Sequence, residues 1–360
     1  MPKRYLGNII TDTPTEPTEN FIDSAASGVW SLAEAERYTA AGVWPNAANA
    51  APAYVLVGGF SISSTYSANV DRYNISVQAN ATDFGDLTVA RSHMNGIGGT
   101  TRLIFVAGRN SGSNFNNNID YANPTSQSNF ADFGDLSGAS KQYPATFGNS
   151  TRGISAGGEG PSQGAPNYQY YDNMEYLTIA TTGNTTDFGD LTEPTQVAAG
   201  CINSPTRGIR STGNAITGGG GSIQSNVMDY VTIATTGNAT DFGDNTSTRY
   251  NAGGCSSSTR GLTAGGNSGD PDYINLNVID YVTIASTGNA TDFGDLFSMQ
   301  GVYVRGAASE TKATFFRINQ TIGQVTIAST GNATDFADLT NSFSSNQWGA
   351  ANSNNHGGLQ

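Results

Sequence analysis

Charge is scarce in this chain. Only 12% of its 360 residues are Asp, Glu, Lys or Arg, about half the usual share. Surface helices rely on Glu and Lys, so a helical fold is not expected. Cations are the scarcer sign, 16 Lys and Arg against 29 Asp and Glu, for a net charge of −13. No Lys/Arg run exists beyond Lys3-Arg4, which argues against a nucleic-acid footprint and against adhesion to an anionic membrane. No apolar run approaches the length of a transmembrane helix, so no membrane insertion is expected. Residues 1–10 begin basic but lack a sustained apolar core and do not read as a signal peptide. The two cysteines, Cys201 and Cys255, do not make a disulfide framework. Each stands 14 residues after the first Asp of its repeat, which predicts small buried residues at one shared position in neighbouring units. The two histidines, His93 and His356, have no Cys or carboxylate at ligand spacing, which argues against zinc. Nothing singles out a Ser for a Ser-His-Asp triad.

What fills the chain is Gly (45 residues), Asn, Ser and Thr, in a repeat. The clearest copy runs Tyr281-Val-Thr-Ile-Ala-Ser-Thr-Gly-Asn-Ala-Thr-Asp-Phe-Gly-Asp-Leu296. It recurs at residues 230–245 and 176–191, with shorter copies ending at Leu87, Leu136 and Leu339. The first Asp of the six copies is Asp83, Asp132, Asp187, Asp241, Asp292 and Asp335, at spacings of 49, 55, 54, 51 and 43 residues. A period near 50 belongs to propeller blades and is too long for most helical solenoids. Each unit opens with an apolar strand often ending in glycines, such as Tyr54-Val-Leu-Val-Gly-Gly59 or Gly261-Leu-Thr-Ala-Gly-Gly266. A loop of variable length follows. A second strand then carries an acid–aromatic pair (Asp120-Tyr121, Glu175-Tyr176, Asp229-Tyr230, Asp280-Tyr281). The Asp-Phe-Gly-Asp phrase reads as a third strand or its edge, and a less regular fourth piece leads to the next unit. Four short strands per unit predict an all-β, six-bladed β-propeller over residues 50–352. The first unit lacks a preceding strand and the last has one to spare. The C-terminal strand is therefore expected to complete the first blade and close the ring. Residues 353–360 read as a tail. Residues 1–49 read as an extended arm with a short helix after the capping box Ser31-Leu-Ala-Glu34.

The glycine doublet, the acid–aromatic strand and the closing aromatic resemble the kelch repeat, with Phe84, Phe133, Phe188, Phe242, Phe293 and Phe336 where kelch repeats usually carry Trp. The long repeat phrase is similar to repeats in structural proteins of marine tailed phages, cyanophages especially. Met1-Pro-Lys-Arg-Tyr-Leu-Gly7 and Ser27-Gly-Val-Trp-Ser-Leu32 are similar to the N-termini of such proteins. The resemblance implies a non-enzymatic virion protein, assembled in the host cytoplasm and present in several copies per particle. Its leading role is tail- or fibre-associated host attachment. The alternatives are a capsid-decorating or head-fibre protein and, from another class, a glycan-processing tail enzyme. Partners are then other virion proteins, held through residues 1–50, and a host-surface glycan or protein.

No motif carries catalysis. Asp-Phe-Gly recurs in five units without a His-Arg-Asp, which is unlike a kinase. Asn238, Thr240, Asp241 and Asp244 offer oxygens for Ca²⁺ but not at the spacing of a calcium loop, and no cofactor is expected. Within the phrase, Phe is expected to fill space between blades, Gly to allow a bend with positive φ, and Asp to accept turn hydrogen bonds. The recurring Arg102, Arg152, Arg207 and Arg260 are expected to pair with the Asp of the phrase, stitching strands or blades. The alternative is an exposed ring that binds an anion. Trp30, Leu32, Tyr38 and Trp44 are candidate anchors to a partner. Tyr168, Tyr170 and Tyr171, on the longest loop, are candidate ligand contacts.

Overall fold

The computed structural model describes residues 52–359, apart from 63–64, 113, 162–167, 197–199, 217–221, 269–273, 298–302, 317–319 and 341–348, and before them only Ala33 and Arg37, which are helical. The anchor candidates Trp30, Leu32, Tyr38 and Trp44 lie outside the described residues. Residues 53–360 form one compact unit.

Within that unit six antiparallel sheets, five of four strands and the fourth of five, succeed one another as the blades of a β-propeller. Blade 3 shows the pattern, with an inner strand Ala145–Gly148, a second strand Arg152–Ala156, a third Asn173–Thr178 and an outer strand Thr186–Asp190. The phrase supplies every outer strand, from Thr82–Asp86 in blade 1 to Thr334–Asp338 in blade 6. Blade 1 takes its inner strand from the other end of the chain, as the spare C-terminal piece predicts. Ala350–Ser353 pairs antiparallel with Tyr54–Gly58, Val55 opposite Ser353. The inner strands neighbour one another in a closed ring, so this pairing joins both ends of the unit. Residues after Ser353 belong to the unit and are not a separate tail. His356, Gly357 and Gly358 are buried, and the His356 ring lies against Gly98.

The outer strand explains the phrase. In all six blades the register between the third and outer strands slips at one place, between Val70 and Asp71 in blade 1 and between Ile322 and Gly323 in blade 6. The slip is a β-bulge that leaves the phrase's Phe unopposed. That Phe turns inward and is buried, 0% exposed at Phe84 and 7% at Phe336. Gly85, Gly134, Gly189, Gly243 and Gly294 follow at φ of 138–152°. A Cβ on Gly134 would stand 2.5 Å from the Gly183 carbonyl of the next blade, so the bulge brings two blades into backbone contact. Across that contact the Asn of each blade's turn caps the preceding outer strand. Asn129, Asn184, Asn238, Asn289, Asn332 and Asn80 each accept from the backbone N–H of the phrase's second Asp, at 3.0–3.1 Å. The expectation that the Asp carboxylates take the turn bonds is corrected by this. The caps are Asn side chains, and Asp83, Asp132, Asp187, Asp241, Asp292 and Asp335 are exposed on the rim. Exposed charge on an outer strand discourages pairing with a second sheet.

The arginines do stitch blades, but not through Asp. Arg102, Arg152, Arg207 and Arg260 donate 2.9 Å hydrogen bonds to the carbonyls of Ile179, Ile233, Ile284 and Ile327, each at the same point of the next blade. Their guanidinium groups lie over Tyr121, Tyr176, Tyr230 and Tyr281, 4.2–4.8 Å from the ring centres. Each Tyr in turn meets the Phe of its phrase edge-on. Blade 1 makes the same bond with the pair exchanged between strands, Arg72 lying over Tyr54 and donating to Pro124. Gln324 of blade 6 closes the circle on Ile75, at 2.9 Å. Six side chains thus make one ring of blade-to-blade bonds.

The acid of the acid–aromatic pair is buried at the bulge and makes a second set of ties. Asp120, Asp229, Asp280 and Asp71 each accept from the Thr that follows the preceding blade's phrase: Thr88, Thr192, Thr246 and Thr340. Glu175 accepts from the Gly138 N–H. Blade 6 has Gly323 in the acid's place, and Phe297 stands where the Thr belongs. Among the described residues buried ion pairs neutralise three of these acids: Arg91–Asp120 at 2.6 Å, Arg210–Asp229 at 2.5 Å, and Arg249–Asp280.

Both cysteines are buried and unbridged, but their shared position is corrected by one residue. Cys201 stands opposite Arg210, whereas Cys255 stands opposite Leu262. Ser204 and Ser257 make the same turn bond, to Arg207 and Arg260, and Cys201 lies one residue further upstream of it.

Candidate binding face

The two faces of the propeller are built differently. On one face lie the short turns before the second strand and the turns before the outer strand, which read Thr-Gly-Asn in blades 3 to 6, keep only the Asn in blades 1 and 2, and are occupied in docking blades (the turn face). On the other face lie the connections between second and third strands, and the segments that cross to the next inner strand. Here the units diverge. Blade 1 has a small ribbon of Ser61–Ile62 and Thr65–Tyr66, blade 3 one of Glu159–Pro161 and Tyr168–Tyr170, and blade 5 one of Asn267–Ser268 and Ile274–Asn275. Blade 4 instead extends its strands to Arg207–Ile216 and Ser222–Thr232. Glycines with positive φ, such as Gly59, Gly158 and Gly266, let the chain leave the blade at these points. Divergent loops on a rigid repeat are where recognition is placed.

Exposure separates the faces further. Among the described residues the exposed large apolar side chains are Val77, Val89, Tyr168, Ile223, Ile274 and Phe297. All but Val77 are on the hairpin face. Tyr168 is 53% exposed, with its ring edge-on to Phe115 at 5.4 Å and Arg109 within 6 Å of both rings. The expectation of three ligand tyrosines narrows here. Tyr171 folds back on its own hairpin, its hydroxyl donating to the Pro161 carbonyl at 3.0 Å. Tyr170 stands opposite Glu159 in the ribbon and is half-buried. Tyr168 alone of the three is held outward, by Phe115 and Arg109, which the sequence does not bring near it.

Beneath the hairpins the central channel is closed by side chains whose meeting the sequence does not foretell. His93, Tyr143 and Tyr303 occupy matching places before the inner strands of blades 2, 3 and 6, all at φ of 57–67°. That conformation is strained for bulky residues. It turns them toward the axis. His93 stacks edge-on with Tyr143 at 4.8 Å, and Tyr143 packs on Tyr303 from the opposite side of the ring. Burial pulls the His93 imidazole down to a pKa of about 3, helped by Arg109 and Arg305. Burial likewise lowers Arg305 to about 10 and pushes the Tyr143 phenol well up. Ser92 Oγ contacts His93 Nδ1, but both residues are buried chain neighbours and the imidazole is held neutral, so the contact is not a reachable nucleophile–base pair. Below this plug a cavity of about 50 Å³ is walled by the inner strands, Asn95, Cys201 and Asn352 among them. His356 shuts the far end. Its Nδ1 accepts from the Gly358 N–H at 3.1 Å, so Nε2 carries the proton and donates to the Gly98 carbonyl. The axis is thus a packed core, and no described groups of three or more His, Cys, Asp or Glu are placed to hold a metal ion. No described helix is long and apolar enough to cross a membrane.

No protein-family model matches this chain, and comparison with curated proteins finds no significant match.

Proposed function

We propose that this chain is a non-enzymatic binding protein whose hairpin face engages a macromolecular surface. One observation carries the reading: five of the six exposed large apolar side chains among the described residues, and the divergent loops, lie on one face, while the other face carries short turns that dock neighbouring blades. The fold supports it, since six blades tied at the rim, the Arg ring and the axis make a rigid platform. The finer reading is a virion protein held to the particle through residues 1–50, tail- or fibre-associated, with the hairpin face toward the host. Its support is the resemblance of the repeat phrase and N-terminal segments to phage structural proteins. The test is the double variant Tyr168→Ala/Ile274→Asp. The reading expects an unchanged melting temperature and surface binding weaker by at least about tenfold. Undiminished binding overturns it.

A further inference from the structure

The blades differ in one place that leaves a hollow. On the turn face of blades 2 to 5, an Arg lies over a Tyr across the second and third strands, as Arg152 lies over Tyr176 at 4.2 Å. Blade 1 fills the same place with the exchanged pair, Arg72 over Tyr54 at 4.7 Å. Blade 6 has Lys312 and Gln324 instead, each at the matching register position. Gln324 keeps the bond to the next blade, and Lys312 Nζ donates to Thr326 Oγ1 at 2.8 Å. No ring fills the space, and a cavity of about 210 Å³ opens over the third strand and its turn.

Its wall is unlike the rest of this acidic protein. Among the described lining residues Lys312 alone is charged, and the others are Ser, Thr, Asn and Gln with one glycine and one valine. Thr326, Ser329, Thr334 and Asn332 offer hydroxyl and amide groups that both donate and accept. The volume holds about seven water molecules, the space of one sugar ring rather than a peptide segment. A wall of hydroxyls and amides matches vicinal hydroxyl groups, and a single ammonium matches a single carboxylate. A dianion here would face one cation within a chain of net charge −13.

We propose that this groove binds one uronic acid residue of an acidic polysaccharide, with the carboxylate on Lys312 Nζ and the ring hydroxyls on Thr326, Ser329 and Asn332. The groove lies on the turn face, so the proposal stands or falls separately from the hairpin reading.

The test is titration of the full chain with glucuronate, glucose and inorganic phosphate, followed by calorimetry and by amide NMR shifts. The decisive variant is Lys312→Arg/Gln324→Tyr, which restores the repeat's own pair. The new Arg then reaches the Ile75 carbonyl as its counterparts do, so the melting temperature is expected to hold or rise while binding is lost. Lys312→Gln is expected to reduce glucuronate binding to the level of glucose, at least about tenfold weaker than wild type. Saturable glucuronate binding, with shifts centred on residues 326–334 and abolished by the filled variant, is the expected result. The proposal is overturned if glucuronate does not saturate, if the filled variant binds as well as wild type, or if phosphate binds as tightly as glucuronate, which would make it a simple anion site.

Discussion

Replacing Arg207 with Met separates the observed stitching from the Arg–Asp pairing that the sequence suggests. The substitution removes a hydrogen bond from a charged donor to the Ile284 carbonyl and the guanidinium above Tyr230. A hydrogen bond from a charged group contributes about 1.5–3 kcal/mol and an exposed cation–π contact about 0.5–1 kcal/mol. Arg207 is half-buried, water can reach the abandoned carbonyl, and Met keeps some of the packing. The expected loss is therefore about 1–2 kcal/mol, at or below the low end of the sum of those ranges. In a domain of this size that lowers the melting temperature by roughly 2–4 °C. Asp187→Asn and Asp241→Asn are the controls, because both carboxylates are exposed. They are expected to change stability by less than about 0.5 kcal/mol. Urea unfolding of the three variants, with calorimetric melting alongside, reads the difference. An Asp variant as destabilising as Arg207→Met, with no further loss in the double variant, would refute the carbonyl–Tyr account.

Two further outcomes test the interior. Arg249→Met leaves Asp280 buried without its cation, and is expected to cost about 3–5 kcal/mol in urea unfolding, with Arg249→Met/Asp280→Asn recovering much of it. The buried histidines contribute to the loss of stability in acid. Burial lowers His356 to about 4 and His93 to about 3, whereas both titrate near 6.5 when unfolded. Between those values the unfolded chain binds protons that the folded chain does not. Their contribution is therefore complete above about pH 6.5, declines below it, and is spent near pH 4 for His356 and near pH 3 for His93. At ~1.4 kcal/mol per unit, His356 accounts for about 3 kcal/mol of this by pH 4. His356→Gln, compared with wild type by urea unfolding at pH 7.5 and pH 4.5, is expected to flatten that slope.

The features legible in the sequence are those the repeat writes many times. The period near 50, the strand order and the spare C-terminal strand specify six blades and their closure, because each is a backbone property repeated in register. The roles of Phe and Gly in the phrase were legible for the same reason. Partners were less so. Arg207 and Asp187 both recur once per unit, so recurrence alone could not exclude their pairing. The register places Arg207 at the turn-face end of its strand, beside the next blade's carbonyl. The buried pair Arg210–Asp229 was hidden because its Arg comes from the second strand, whereas Arg91 and Arg249 come from the crossing segments. A signal did exist: the Asp before Tyr is an acid inside an apolar strand, and such an acid needs a cation or several donors. The candidate site is where the repeat breaks, so its parts come from unrelated loops. Nothing in the spacing of Arg109, Phe115 and Tyr168 foretells that they meet. The Lys312/Gln324 exchange, by contrast, is visible in an alignment of the six units and gains meaning once the Arg–Tyr pair is seen to fill space.

The proposal most in need of a test is that the propeller serves attachment, its hairpin face outward on a virus particle. The most direct measurement is gold labelling of intact particles with antibodies against residues 53–360, with a second antibody raised to the Tyr168 and Ile274 hairpins. The account predicts label at the tail or fibres, with the hairpin antibody bound on intact particles and blocking adsorption. Label spread over the head, or no label on particles, would contradict it.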